Sequence, residues 1–111
     1  MSKFEALNVA MSLIAELKII VAKISATDRS LGDQIRRSAS STALNISEAS
    51  RRTGKDRFHS FRIAAGSASE IQTALNIALN WGYINQTDYQ KAASLCDRIL
   101  AMLWRLTTSK P

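Results

Sequence analysis

The residues best suited to chemistry lie between Gln34 and Glu70. Arg37, Ser41, Asn45 and Glu48 are spaced four, four and three apart, which sets them as a polar stripe along one side of a helix. Arg62, Gly66 and Glu70 follow at four-residue steps. If the two stripes face each other, Glu48 or Glu70 pairs with Arg37 or Arg62 across a helix contact. The simpler reading is a buried polar network, formed by Arg37, Asn45, Glu48, Arg62 and Glu70, that fixes register. The other is a small-molecule cleft around Arg37, Asn45 and Glu70. A second cluster, Arg51, Arg52, Lys55 and Arg57, brackets a turn, and Arg36 and Arg29 extend it along the chain. It is either a solvated turn or a phosphate-contacting patch. Contacts of that kind position a nucleic acid without reading its sequence.

Catalytic constellations are missing. His59 is the one histidine, so no His-based metal cluster can form within the chain. It reads as a partly exposed residue near a helix N-terminus. Ser38, Ser40, Ser41, Ser67 and Ser69 have no accompanying base and oxyanion donors. Glycine-rich phosphate loops are absent. Cys96, the single cysteine, falls on an apolar helical stripe and behaves as a small buried hydrophobe. The expectation is a protein that is not an enzyme and uses no metal and no cofactor. Aromatic interleaving of the basic cluster is thin. Phe58 and Phe61 belong to a core row, so no stacking platform for bases is evident.

Charge gives the strongest lead to a partner. The net charge is +6, and from Arg29 to Arg62 eight basic residues face three acidic ones, which places +5 of the +6 in one helical hairpin. A surplus of that kind favours polyanions, either RNA or DNA, or an acidic protein. It also serves plain solubility. The length of 111 residues fits a single domain, 1–111. No run approaches the ~20 apolar residues of a membrane span. Leu13–Val21 is interrupted by Glu16 and Lys18 and has no cleavage pattern after it. A cytoplasmic, reducing setting is the default expectation.

The elements that must position these residues are helices. Four glycines and one proline leave long periodic segments unbroken. Helix one is expected over 2–26, with Phe4, Leu7, Met11, Ile14, Leu17, Val21 and Ile24 on its core face. Val9, Leu13 and Ile20 then make a second apolar face, expected to meet another subunit. Helix two is expected over 31–51, with Ser30 and Asp33 as its capping box. Helix three is expected over 56–80, started by Thr53 and Asp56. Its small-residue centre, Ala64 to Ala68, suggests a close approach of helix two at Gly66. Gly82 suits the left-handed end of helix three. Asn85 and Asp88 start helix four, over 86–108, whose row is Tyr89, Ala92, Cys96, Ile99, Leu103 and Leu106. Four such helices with short turns make an all-α, antiparallel, up-down-up-down four-helix bundle.

Gln34-Ile35-Arg36-Arg37, Asn45-Ile46, Glu48, Phe58, Gly66-Ser67, Glu70, Gly82-Tyr83-Ile84 and Tyr89 together carry a resemblance. From about Gly32 onward the chain resembles the bacterial four-helix-bundle proteins known as 23S rRNA-intervening sequence proteins. The resemblance implies a homopentamer. It also implies kinship with the accessory variability protein of diversity-generating retroelements, a basic pentameric bundle that binds nucleic acid and a reverse transcriptase. No catalytic activity is implied, and the family link favours RNA over DNA. The chain departs from the family at Ala43, where a proline is usual, and at Ala49, where a glycine is usual. The second departure predicts that helix two continues toward Arg51. The alternative reading is a protein-interaction adaptor whose basic surface meets an acidic protein.

Overall fold

A computed structural model describes residues 3–108; Ser2, expected to open the first helix, and the side chain of Phe4 lie outside the described residues. The described residues form four α-helices: α1 (Lys3–Thr27), α2 (Arg29–Ser50), α3 (Gly54–Trp81) and α4 (Gln86–Thr108). Each helix packs on its neighbours in sequence, and α1 closes the square against α4. Cross-links at every seam show the antiparallel sense. Gly32 of α2 sits against Ser25 of α1. Ser67 of α3 donates to Ser41 of α2 at 2.9 Å. Gln72 of α3 donates to Asp97 of α4, and Lys23 of α1 pairs with Asp88 of α4 at 2.8 Å. The result is the expected up-down-up-down bundle, about 45 × 21 × 19 Å.

The phase of α1 differs from expectation. Its buried row is Ala6, Ala10, Leu13, Leu17, Ile20 and Ile24, at steps of four and three, with Val9 and Val21 beside it. Val9, Leu13 and Ile20 therefore lie in the core of their own bundle and are not available to a second subunit. The second apolar face exists, but it is Met11 (54% exposed) with the half-buried Leu7 and Ile14. Small Ala6 and Ala10 let α1 nest close to its neighbours, which turns the larger Met11 outward.

The α1–α2 connection is shorter than helices expected over 2–26 and 31–51 would leave. Asp28 alone is non-helical, and its Oδ1 accepts from the Leu31 amide at 3.0 Å. Asp28, not Ser30, is thus the N-cap, and α2 begins at Arg29. Gly32 allows the close approach of the two helices: a Cβ there would lie 3.1 and 3.3 Å from Ser25 Cβ and Cα and would force Ser25 Oγ to rotate away. The other Asp28 oxygen accepts from the Tyr83 hydroxyl at 3.3 Å, tying this turn to the α3–α4 turn. Asp28→Ala is expected to cost about 1–2 kcal/mol, since cap and tie are lost together. Urea midpoints of the two proteins check it. An unchanged midpoint would show that water replaces both bonds at no cost.

The remaining ends follow simple chemistry. The Arg51 and Arg52 amides bond to Glu48 and Ala49 carbonyls at 3.0 and 3.2 Å, so α2 does run to the edge of Arg51. Thr53 occupies the N-cap of α3 in an extended conformation but makes no side-chain cap bond, so the expected Thr53–Asp56 box does not form. Gly82 takes φ +80°, and the Tyr83 amide reaches back to Ala78 O at 2.9 Å. This pairing closes helix ends efficiently. Asn85 Oδ1 accepts from the Asp88 amide at 2.8 Å, as expected for the start of α4. Gly66 breaks the expectation: it is exposed, and an added Cβ would meet nothing within 4 Å. The α2–α3 contact runs instead through the buried Ser67, which bonds to Ser41, and through Glu70, which bonds to Gln34 and Ser38. Gly66 thus lowers helix stability by about 1 kcal/mol relative to alanine, with no gain inside its own chain.

Candidate functional site

The polar stripes of α2 and α3 do meet, through different partners from those expected. Glu70 Oε2 accepts from Gln34 Nε2 at 2.8 Å and from Ser38 Oγ at 3.2 Å. One turn along, Ser41 Oγ accepts from Ser67 Oγ at 2.9 Å and from Asn45 Nδ2 at 3.2 Å. Ser38 and Ser67 are buried, so this ladder satisfies hydroxyls that would otherwise be stranded. Arg37 reaches it only from outside, donating to Gln34 Oε1 at 3.2 Å. Glu48 pairs with Arg52 on its own helix at 2.6 Å, because the four-residue spacing brings them together without crossing to α3. Arg62 is exposed and makes no hydrogen bond or ion pair among the described residues. Among the described residues no carboxylate–arginine ion pair crosses the α2–α3 seam. The ladder rests on Gln34, Ser38, Ser41 and Ser67, spaced like the stripe but weak as sequence signals because serine is common on helix surfaces. Beside Glu70 lies an open groove, whose lining among the described residues includes neither Arg37 nor Asn45.

The basic residues gather at one end of the bundle. Arg51, Arg52 and Lys55 are exposed around the α2–α3 turn, with Arg57 half-buried on the first turn of α3. Arg51, Lys55 and Arg57 have no acidic partner among the described residues, and Arg57 Nε is buried without any hydrogen bond. Arg52 is shared with Glu48. Arg36 does not join them. It lies 15 residues up α2, about 22 Å away by helical rise, and pairs with Asp33 at 3.3 Å. Beside the tip, Glu48, Arg52, Asp56, His59 and Ser60 line an open recess of about 320 Å³. His59 is exposed there, and among the described residues no group of three metal-ligating side chains comes together. Trp104 is 68% exposed on α4, in the half of the bundle nearer the tip. In sequence this tryptophan stands far from the basic cluster, and the antiparallel run of α4 brings it to the same half. Cys96 is completely buried.

The family model for 23S rRNA-intervening sequence proteins matches residues 2–105. The chain belongs to that family. No curated protein matches it. Among solved structures it is similar to a protein of unknown function from the S23 ribosomal protein family of Bacteroides thetaiotaomicron VPI-5482. The identity is 20%, the TM-score is 0.81, and the match covers 98% of this chain and 100% of the other. At that identity the likeness bears on fold alone, and it agrees with the four-helix bundle. At the α2–α3 tip, Arg51, Lys55 and Arg57 are the cations without an acidic partner among the described residues. No helix among the described residues is long and apolar enough to cross a membrane.

Proposed function

We propose that this protein is a non-catalytic, oligomeric helical bundle that binds nucleic acid, RNA in preference to DNA, through its basic tip in a cytoplasmic setting. The observation that carries the reading is the set of three cations, Arg51, Lys55 and Arg57, held at one bundle end without acidic partners among the described residues. Unpaired cations attract phosphates and release the counterions condensed on them, which is the main source of sequence-independent affinity. RNA is favoured over DNA by the family link alone, the family being described as 23S rRNA-intervening sequence proteins. Assembly as a homopentamer, implied by the same family, would repeat the tip several times and convert a weak contact into a strong one by avidity.

The test is titration of a structured RNA hairpin at several salt concentrations, followed by fluorescence anisotropy. Four phosphate contacts per protomer predict a slope of log affinity against log salt of about −3 to −4, steeper if several protomers engage one RNA. Absence of binding at low salt, or binding indifferent to salt, would refute the reading.

A further inference from the structure

The basic tip has no open aromatic ring of its own to hold a base: Phe58 is half-buried and Phe61 fully buried. The antiparallel run of α4 supplies one. Trp104 is 68% exposed, and its place can be fixed against α3. Gln72 of α3 donates to Asp97 of α4, so those two positions are level and face each other across the seam. Trp104 follows Asp97 by seven residues, about two helical turns, and so stands on the same α3-facing line, nearer the tip. Because α3 and α4 run in opposite senses, Trp104 is level with the position seven residues before Gln72, which is Ala65. Its neighbours at that height are small: Ala65 is half-buried, and Ser69 and Ala101 are exposed. The seam therefore leaves room for a flat partner beside the indole.

Cations line the way from this tryptophan to the tip. Arg62 and Lys55 are seven residues apart on one outward line of α3, and both are exposed. Neither has a hydrogen bond or an acidic partner among the described residues. With the helical rise per residue, Arg62 lies about 4–5 Å and Lys55 about 15 Å beyond Trp104 toward the tip. Arg51 and Arg57 stand at the end of the same path. Trp81, the other exposed tryptophan, closes α3 at the opposite end of the bundle.

An open indole followed by a row of unpaired cations suits a single strand. Every base has a π-face that stacks on tryptophan, and the backbone carries a phosphate at each step. A duplex offers phosphates to the cations but no base face to the indole, because neighbouring pairs already cover those faces. We propose that the outer α3–α4 seam is a track for single-stranded RNA: an unpaired base stacks on Trp104, and the phosphates of the strand run past Arg62 and Lys55 to the basic tip. The proposal rests on the RNA-binding function above and deepens it, naming unpaired RNA as the form that is bound. Stacking on Trp104 adds a contact that salt does not screen.

The experiment uses the Trp81→Phe protein, in which Trp104 is the sole tryptophan, with an oligouridylate of about ten nucleotides and an RNA duplex of the same length. Emission of Trp104 is expected to be that of a solvated indole in the free protein, to fall as oligouridylate is added, and to change little with duplex. In anisotropy titrations, Trp104→Leu keeps an apolar side chain without a π-face. It is expected to bind oligouridylate about tenfold to a hundredfold more weakly with its salt slope unchanged, while Trp104→Tyr keeps most of the affinity. Arg62→Ala is expected to lower the salt slope by about 0.7. Both substituted positions are exposed, and thermal melts by circular dichroism verify that the variants fold. Blue-shifted emission in the free protein would show the ring covered by another copy and overturn the proposal. Equal quenching by duplex, binding of oligouridylate without quenching, or a Trp104→Leu variant that binds like the wild type would overturn it too, and each leaves the tip standing. An unchanged slope in Arg62→Ala would overturn the path along α3. A wild type that binds no RNA at low salt would remove the tip and the track together.

Discussion

Alanine at Arg51, Arg52, Lys55 and Arg57 together is expected to lower the affinity for structured RNA by about a thousandfold at 0.1 M salt. The magnitude follows from counterion release. Four lost phosphate contacts flatten the salt slope by about 3 to 4, and that difference accumulates over the decade of salt between 0.1 and 1 M. Arg36→Ala is the internal control. It lies far up α2 and already leans on Asp33, so its removal should change affinity only slightly. Arg52 is also partly committed, to Glu48, and Glu48→Ala should therefore strengthen binding modestly by releasing it. Arg57 has a buried Nε, so thermal melts of the quadruple variant must show that the loss is one of binding and not of folding. A quadruple variant that folds and binds like the wild type would remove the tip from the function, whatever else the protein contacts.

The helices, their order and their antiparallel sense were legible because few residues break the periodicity and the breakers stand at the ends. Gly82 and Asn85 mark one turn by conformation and by side-chain capping. The rotational phase of α1 was not legible. A helix apolar nearly all round offers two rows of similar weight, and the larger residues Met11 and Ile14 draw the eye from the true row, which opens with Ala6 and Ala10. Burial there is decided by how closely α2 and α4 approach, and small residues permit that approach. Gly66 misled for a related reason. Glycine in a helix signals close packing, but not whether the packing is within the chain or outside it. The polar seam was half legible: Glu70 was placed at the α2–α3 contact, while its partners, Gln34 and Ser38, carry no charge to advertise them. The tip cluster is visible in the sequence because a short turn keeps sequence neighbours together in space, whereas helical rise carries Arg36 about 22 Å away from it.

The second large effect concerns alkaline stability and has its origin in Cys96. The thiol is completely buried in α4. Burial, with a smaller contribution from the Asp97 charge, pushes it up from 9.0 to about 12. In the unfolded chain the thiol ionises near its ordinary value, so above about pH 9 the unfolded state has released a proton that the folded state still holds. The sign is then fixed. The stabilising contribution is fully present below pH 9 and declines as pH rises toward 12, by about 1.4 kcal/mol per pH unit. Over the full interval this amounts to about 4 kcal/mol, a large share of the 5–15 kcal/mol typical of a domain. Urea unfolding at pH 7.5 and pH 10.5 reads it out. The wild type is expected to lose about 2 kcal/mol more between those two conditions than Cys96→Ala does. Lysine and tyrosine titrations are common to both proteins and cancel in the difference. The alanine variant should be the less stable of the two at pH 7.5, since it leaves a small cavity, and the gap between them should narrow as pH rises. Parallel losses in the two proteins would mean that the thiol ionises as readily in the fold as outside it, which a side chain sealed between Ala92 and Ile99 on the core face of α4 has no means to do.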